Sequence, residues 1–251
     1  MRLCAADQQD VPPYMTSPDF SRRAFLSFSG LGAAALLSSC ASSYRPPVYE
    51  QGSLGGMVQP TGPMAPSTPE LDAMYGEVVD GGFVIPAIPY QQIPPRYYRQ
   101  RVSDPTGYPA GSIVVDTPNR FLYLVEQGGT AMRYGVGIGR EGFAWQGEGV
   151  IQWRQKWPKW TPPDEMVARQ PQLAKYSSAN GGMAPGLMNP LGARALYIFQ
   201  NGQDTLYRLH GSPEWNSIGK AMSSGCVRLM NQDIIDLYDR VPNKARIIVL
   251  Q

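Results

Sequence analysis

Two side chains able to make and break acyl bonds lie near the carboxyl end of this 251-residue chain: its single histidine, His210, and Cys226. A thiol attacks a carbonyl carbon as thiolate, so it needs a proton acceptor nearby and donors for the oxyanion that forms. His210 ends the run Leu206-Tyr207-Arg208-Leu209 and is followed by Gly211, while Cys226 sits in Ser223-Ser224-Gly225-Cys226-Val227-Arg228. A connection of that length can bring the thiol back to the imidazole. Gly225 permits backbone conformations closed to other residues, so the amides of Gly225 and Cys226 can converge on an oxyanion. Arg228 can hold a substrate carboxylate in its planar fork or help depress the thiol pKa. Taken singly, each has a plainer reading: a core cysteine, a histidine bonded to a backbone carbonyl, a surface arginine. Their convergence on one glycine-rich loop favours the chemical reading. With one histidine, no metal-ligand cluster is available.

The segments that must position these groups are short. Ile113-Val114-Val115 and Phe121–Val125 are β-branched and aromatic runs separated by the turn cluster Asp116-Thr117-Pro118-Asn119, which predicts a hairpin. Gln127-Gly128-Gly129 turns into an alternating run in which Met132, Tyr134, Val136 and Ile138 share a face. Further strands are expected at 150–154, 195–200, 205–209 and 246–250. A helix is signalled where Asn231 can cap, Asp233 suits the positive end, and Ile234, Leu237, Tyr238 and Val241 share a face before Pro242. Many short strands between turn signals imply a mainly β fold, a sandwich or partly open barrel.

Composition divides the chain. Residues 1–40 read as an export signal: Arg22-Arg23 precede an uncharged run too short to span a bilayer comfortably, which resembles a twin-arginine signal starting at Met1 or Met15. The run ends Leu37-Ser38-Ser39-Cys40, which resembles a lipobox. On that resemblance Cys40 is lipidated and attaches the chain to a membrane; the other reading is plain cleavage beside an incidental cysteine. Either way Cys4 is removed and Cys40 is lost or capped, leaving Cys226 as the free thiol in an oxidising compartment, the periplasm or cell envelope. Residues 41–80, rich in Pro, Gly and Ser, read as a flexible tether. Residues 81–110, where prolines alternate with apolar groups, read as an extended arm, and the domain proper occupies 111–251. Between Phe143 and Met188, Trp145, Trp153, Trp157 and Trp160 suggest a lid-like insertion, with Trp153 the one expected to pack and Trp157 and Trp160 expected to frame a ligand. A net charge of +2 with scattered basic residues excludes an electrostatic footprint for nucleic acid.

His210-Gly211, then Ser224-Gly225-Cys226-Val227-Arg228 followed by Asn231 and Asp233, resembles the signature of the L,D-transpeptidase catalytic domain, and Asn189–Leu196 resembles that family's entry to the strand before the catalytic histidine. The resemblance covers about Gly111 to Leu250. It implies a mainly β domain without cofactor that acts on peptidoglycan stem peptides. Cys226 would attack the carbonyl of the third residue of a stem tetrapeptide, His210 would protonate the departing D-alanine, and an amine would resolve the thioester. That amine is another stem, giving a 3-3 cross-link, or a lysine of an envelope protein. The resemblance further implies that Gly211 orients His210, that Gly225 serves the oxyanion, and that Ser223, Ser224, Arg228 and Arg194 contact substrate. Many members carry histidine where this chain has Ser224, and some asparagine where it has Arg228, which bears on substrate contacts more than on attack. Hydrolysis of the same thioester and a non-catalytic peptidoglycan-binding lipoprotein are the alternatives.

If the twin-arginine reading is right, Arg22→Lys with Arg23→Lys leaves the unprocessed precursor in the cytoplasm, as fractionation and immunoblotting will show. Undisturbed delivery of that variant would assign export to the general secretory route.

Overall fold

A computed structural model of the chain describes residues 67–139, 145–223 and 225–251. The export segment with Cys40, most of the expected tether, and Ser224 lie outside the described residues. Helix α1 (Pro69–Tyr75) forms because Thr68 caps it, accepting from the Leu71 amide at 3.3 Å, with proline at the first turn and Glu70 and Asp72 at its positive end. Strands β1 (Val78–Asp80) and β2 (Phe83–Ile85) make a hairpin. These elements correct the expected boundary of the tether at residue 80: residues 68–80 carry a helix and the first strand of a hairpin, and Tyr75 is 1% exposed. The proline-rich composition concealed a short capped turn ending in an aromatic anchor.

The expected arm over 81–110 is extended only in part. Two 3-10 turns, Tyr90–Gln92 and Pro95–Tyr97, lead into β3 (Gln100–Ser103). The hairpin of β4 (Ile113–Asp116) and β5 (Phe121–Val125) is present, followed by β6 (Thr130–Gly135), against which β3 pairs. β7 (Ile138–Gly139) leaves the main sheet, and β8 (Gly147–Lys156) returns to it. An excursion through α2 (Asp164–Arg169) and further 3-10 turns occupies the expected insertion. Then come β9 (Arg194–Gln200), β10 (Gln203–Ser212), β11 (Ala221–Ser223), β12 (Val227–Met230), α3 (Asn231–Arg240) and β13 (Arg246–Leu250).

Nine of these strands make one mixed sheet in the order β12-β10-β9-β8-β13-β4-β5-β6-β3, while β7 and β11 pair separately. The sheet is open. It is rolled enough for Gly137, beyond β6, to exchange two backbone hydrogen bonds with Arg228 of β12, at 2.8 and 2.9 Å. Strand alternation sorts its side chains into two cores. Ile113, Val115, Leu122, Leu196, Ile198, Leu209, Val227 and Leu229 line the inner one, closed by Ile234 and Leu237 of α3. Val114, Tyr123, Val125 and Ile248 face the other, covered by Tyr75, Ile88, Tyr90, Ile93, Tyr97 and Tyr98 of the amino-terminal arm.

The arm is also fastened to α3 by polar groups. Gln232 donates to the carbonyls of Gly76 and Pro86, each at 3.0 Å, and Arg99 reaches Asp236 at 3.2 Å and Asp233 at 3.8 Å. Asp233 is fully buried and its carboxylate meets no close donor, with the Tyr75 hydroxyl and Arg99 at its margin. Burial, against the pull of Arg99, pushes its pKa up to about 7. An acid whose pKa is raised on folding costs stability once deprotonated, so the cost grows as pH climbs from the ordinary value of 3.8 to about 7. Asp233→Asn should therefore gain on the order of 4 kcal/mol at pH 8, with the gain vanishing near pH 4. Thermal melts of both proteins across that range test this, and a gain independent of pH would refute it.

Candidate active site

β10 and β12 run parallel, with Leu209 level with Val227, His210 with Arg228 and Gly211 with Leu229. Leu209, Val227 and Leu229 point into the inner core, so alternation turns His210 and Arg228 to the outer face. Cys226 immediately precedes β12, level with Arg208, and its half-buried thiol receives a backbone hydrogen bond from Arg208. The structure thus brings His210 and Cys226 to one face of neighbouring strands, one step apart along the ladder.

His210 is 5% exposed, and its Nδ1 lies 2.6 Å from the Gly211 carbonyl oxygen. A carbonyl only accepts, so Nδ1 carries the proton and Nε2 keeps the lone pair a general base requires. Gly211 is required by a close approach: a Cβ there would lie 2.3 Å from Asn231 Oδ1. That oxygen accepts from the Ala193 amide at 3.0 Å, tying β9 and β10 to the start of α3. Asn231 was the expected helix cap; instead Met230 occupies the cap position without a side-chain bond, because the Asn231 amide oxygen is committed to Ala193.

Burial pushes the His210 pKa down to about 4, aided by the charges of Arg228 and Arg208 and opposed by the carbonyls of Gly211 and Pro190. The imidazole is therefore neutral at neutral pH. Burial likewise raises the Cys226 thiol, against the Arg208 backbone bond and the two arginine charges. Neither guanidinium is dedicated to the thiol. Arg208 is chelated by Asp204 at 2.6 and 2.7 Å, and Arg228 bonds Glu214 at 2.5 Å. The resting pair is a thiol beside a neutral base.

Gly225 has φ +127, a region that side-chain-bearing residues rarely adopt, and a Cβ there would approach the Tyr207 ring at 3.3 Å. Ser223 ends β11, beside Gly139. Arg228 bonds Glu214, whose side chain is 60% exposed, so its guanidinium is already engaged by a carboxylate. Arg194 is not brought to the site. Its neighbour Ala195 pairs with His210 on the outer face, which puts Arg194 on the inner one. There it is 1% exposed, its fork bound by Asp80 at 2.7 and 2.8 Å and its guanidinium over Tyr238.

Trp153 and Trp157 reverse their expected parts. Trp157 is 8% exposed, bonded to Asp80 at 2.7 Å and packed on Phe83, whereas Trp153 is 60% exposed. The register shifts between Ile151 and Trp153, and such a bulge moves the following side chain to the other face. Trp160 lies near Tyr176, and Trp145 stacks with Tyr207. Sequence reasoning overlooked Arg208, Tyr207, Pro190 and Glu214. Arg208 was legible in principle, since alternation places the residue two before His210 on the same face.

The family model described as the L,D-transpeptidase catalytic domain matches residues 110–249, more than half of the chain. The probable L,D-transpeptidase ErfK/SrfK of Escherichia coli strain K12 is 30% identical over 142 residues, covering 56% of this chain and 44% of its own length. The probable L,D-transpeptidase YbiS of the same strain is 33% identical over 142 residues, covering 54% and 43%. The chain thus spans less than half the length of these relatives. Among solved structures, a protein from Brucella melitensis described as a probable carnitine operon oxidoreductase is 43% identical, covering 63% of this chain and 96% of that one, with a TM-score of 0.44.

Because burial raises the thiol, alkylation of Cys226 by iodoacetamide should keep accelerating above pH 8 instead of levelling off near neutrality, and His210→Ala should slow it at pH 7. A rate plateau between pH 5 and 7 would instead indicate a preformed thiolate and imidazolium.

Proposed function

The chain belongs to the L,D-transpeptidase catalytic-domain family, and on that premise we propose that it is a cysteine acyl transferase acting on peptidoglycan stem tetrapeptides outside the cytoplasm. The observation that carries the reading is the Nδ1 bond of His210 to the Gly211 carbonyl, which leaves Nε2 as a proton acceptor on the same face as Cys226. Nε2 takes the thiol proton as sulfur bonds to the carbonyl carbon of the third stem residue, and the oxyanion meets amides at Gly225 and Cys226. The carbon–nitrogen bond to D-alanine then breaks, with the proton passing from His210 to the leaving amine, and a thioester remains. An acceptor amine attacks the thioester, gives its proton to Nε2, and forms the new amide as the thiol is restored. The acceptor is the side-chain amine of another stem or a lysine of an envelope protein.

Neutral resting groups suit this sequence, because deprotonation coupled to attack never leaves a free thiolate exposed to oxidants. Access to such a substrate requires export, through the segment at 1–40, with Cys40 as the point of lipid attachment. Among the described residues no helix is long and apolar enough to cross a membrane.

Purified stem tetrapeptides incubated with the protein should release D-alanine and yield 3-3 linked dimers by mass spectrometry, and Cys226→Ala should reduce release by more than about a thousandfold. Trimmed tripeptides without dimers would identify a hydrolase. A carbapenem, which presents a strained acylating carbonyl, should add one ligand mass to the parent and none to Cys226→Ala. An adduct that persists without Cys226 would place the nucleophile elsewhere.

A further inference from the structure

The register of the sheet continues the outer-face row beyond the thiol. Arg208, level with Cys226, pairs with Tyr197 of β9, and Tyr197 pairs with Trp153 of β8. Three strand steps of about 4.8 Å separate Trp153 from the thiol, roughly 14 Å in all. The row has a definite chemistry. The Trp153 indole is 60% exposed, with the Tyr197 ring edge-on at 5.2 Å and the Arg208 guanidinium over Tyr197 at 4.4 Å. Asp204 chelates that guanidinium, so the row offers no uncommitted cation to an anionic ligand. Its rim is neutral and polar, with the Tyr197 hydroxyl donating to Gln155 Oε1 at 3.0 Å.

An exposed aromatic face bordered by amide and hydroxyl groups suits a pyranose ring, whose C–H faces stack on the π-cloud while its hydroxyls bond at the rim. The spacing fits as well. In the reaction proposed above, the attacked carbonyl belongs to the third stem residue. Three extended residues span about 10 Å, and the group linking the stem to its sugar adds a few more. The ring to which the stem is joined therefore falls near Trp153 when the carbonyl is at Cys226. The β-bulge after Ile151 gains a use, since a regular strand would turn Trp153 into the core.

We propose that Trp153 and Tyr197, backed by Arg208, form a saccharide subsite that receives the amino-sugar ring bearing the attacked stem. The assignment rests on the stem-peptide reading of the site, and it is tested by binding, which needs no turnover. The full chain carrying Cys226→Ala is titrated calorimetrically with a disaccharide-tetrapeptide and with the same tetrapeptide lacking sugar. The sugar-bearing ligand should bind about tenfold tighter, a preference worth about 1.4 kcal/mol. Adding Trp153→Ala should bring the ratio of the two affinities close to one, while Trp153→Phe, which keeps an aromatic face, retains part of it. Equal affinities before Trp153 is altered, or a preference that survives Trp153→Ala, would overturn the subsite and leave the catalytic reading intact. Failure of that reading shows separately, as absence of D-alanine release by the parent, and absence of binding by either ligand overturns both.

Discussion

The parallel pairing of β10 with β12 is the constraint on which the candidate site depends. Parallel neighbours cannot be joined by a tight turn and need a crossover of a dozen or so residues. Here the crossover is a 3-10 turn at Trp215–Ser217 and the strand β11, which pairs with β7 outside the main sheet. The two backbone hydrogen bonds between Gly137 and Arg228 then anchor β12 from its other side. A slip of one residue in this pairing would send every side chain of β12 to the opposite face, separating Cys226 from His210. Val227 and Leu229 oppose that slip, because their burial in the inner core is compatible with one register only.

Electrostatics follow from the same placement. Burial dominates at both groups, so proximity to two arginines does not produce a resting thiolate. Asp204 chelates Arg208 and Glu214 bonds Arg228, so each arginine charge is already partly met by a carboxylate and its pull on the thiol is outweighed by burial. The proposed chemistry therefore starts from two neutral groups, with proton transfer and attack proceeding together. The carbonyl of Gly211 is the part that matters most, since it selects the tautomer of His210.

The amino-terminal arm contributes indirectly. Its tyrosines cover one face of the sheet, while Gln232 and the two aspartates of α3 hold it by polar contacts. α3 in turn presents Asn231 to the Ala193 amide and against Gly211. A contiguous path of packed and bonded groups thus runs from the arm to the residue that orients the imidazole. Asp80 adds a second attachment, through Arg194 and Trp157, on the inner side of β9. A part of the chain that resembles a linker by composition is a structural component of the domain.

Local chemistry was determined by the sequence. A single histidine and a cysteine preceded by glycine marked out the candidate site, and apolar runs between turn signals announced β4, β5, β6, β8, β9, β10 and β13, the last at its observed limits, but not β12, which begins directly after Cys226. The amphipathic run 231–241 announced α3, because helix periodicity and a terminating proline are properties of adjacent residues. Whatever required a partner distant in the chain was decided by the tertiary structure. Arg194 resembled a substrate contact until Asp80 bound it, and Asn231 resembled a cap until Ala193 claimed its oxygen. Trp153 and Trp157 exchanged their expected parts for two separate reasons: a bulge invisible to periodicity turned Trp153 outward, and Asp80 and Phe83, distant in the chain, buried Trp157. Side-chain type sets what a group is able to do; which face it occupies, and which neighbour reaches it first, depend on strand register and long-range packing.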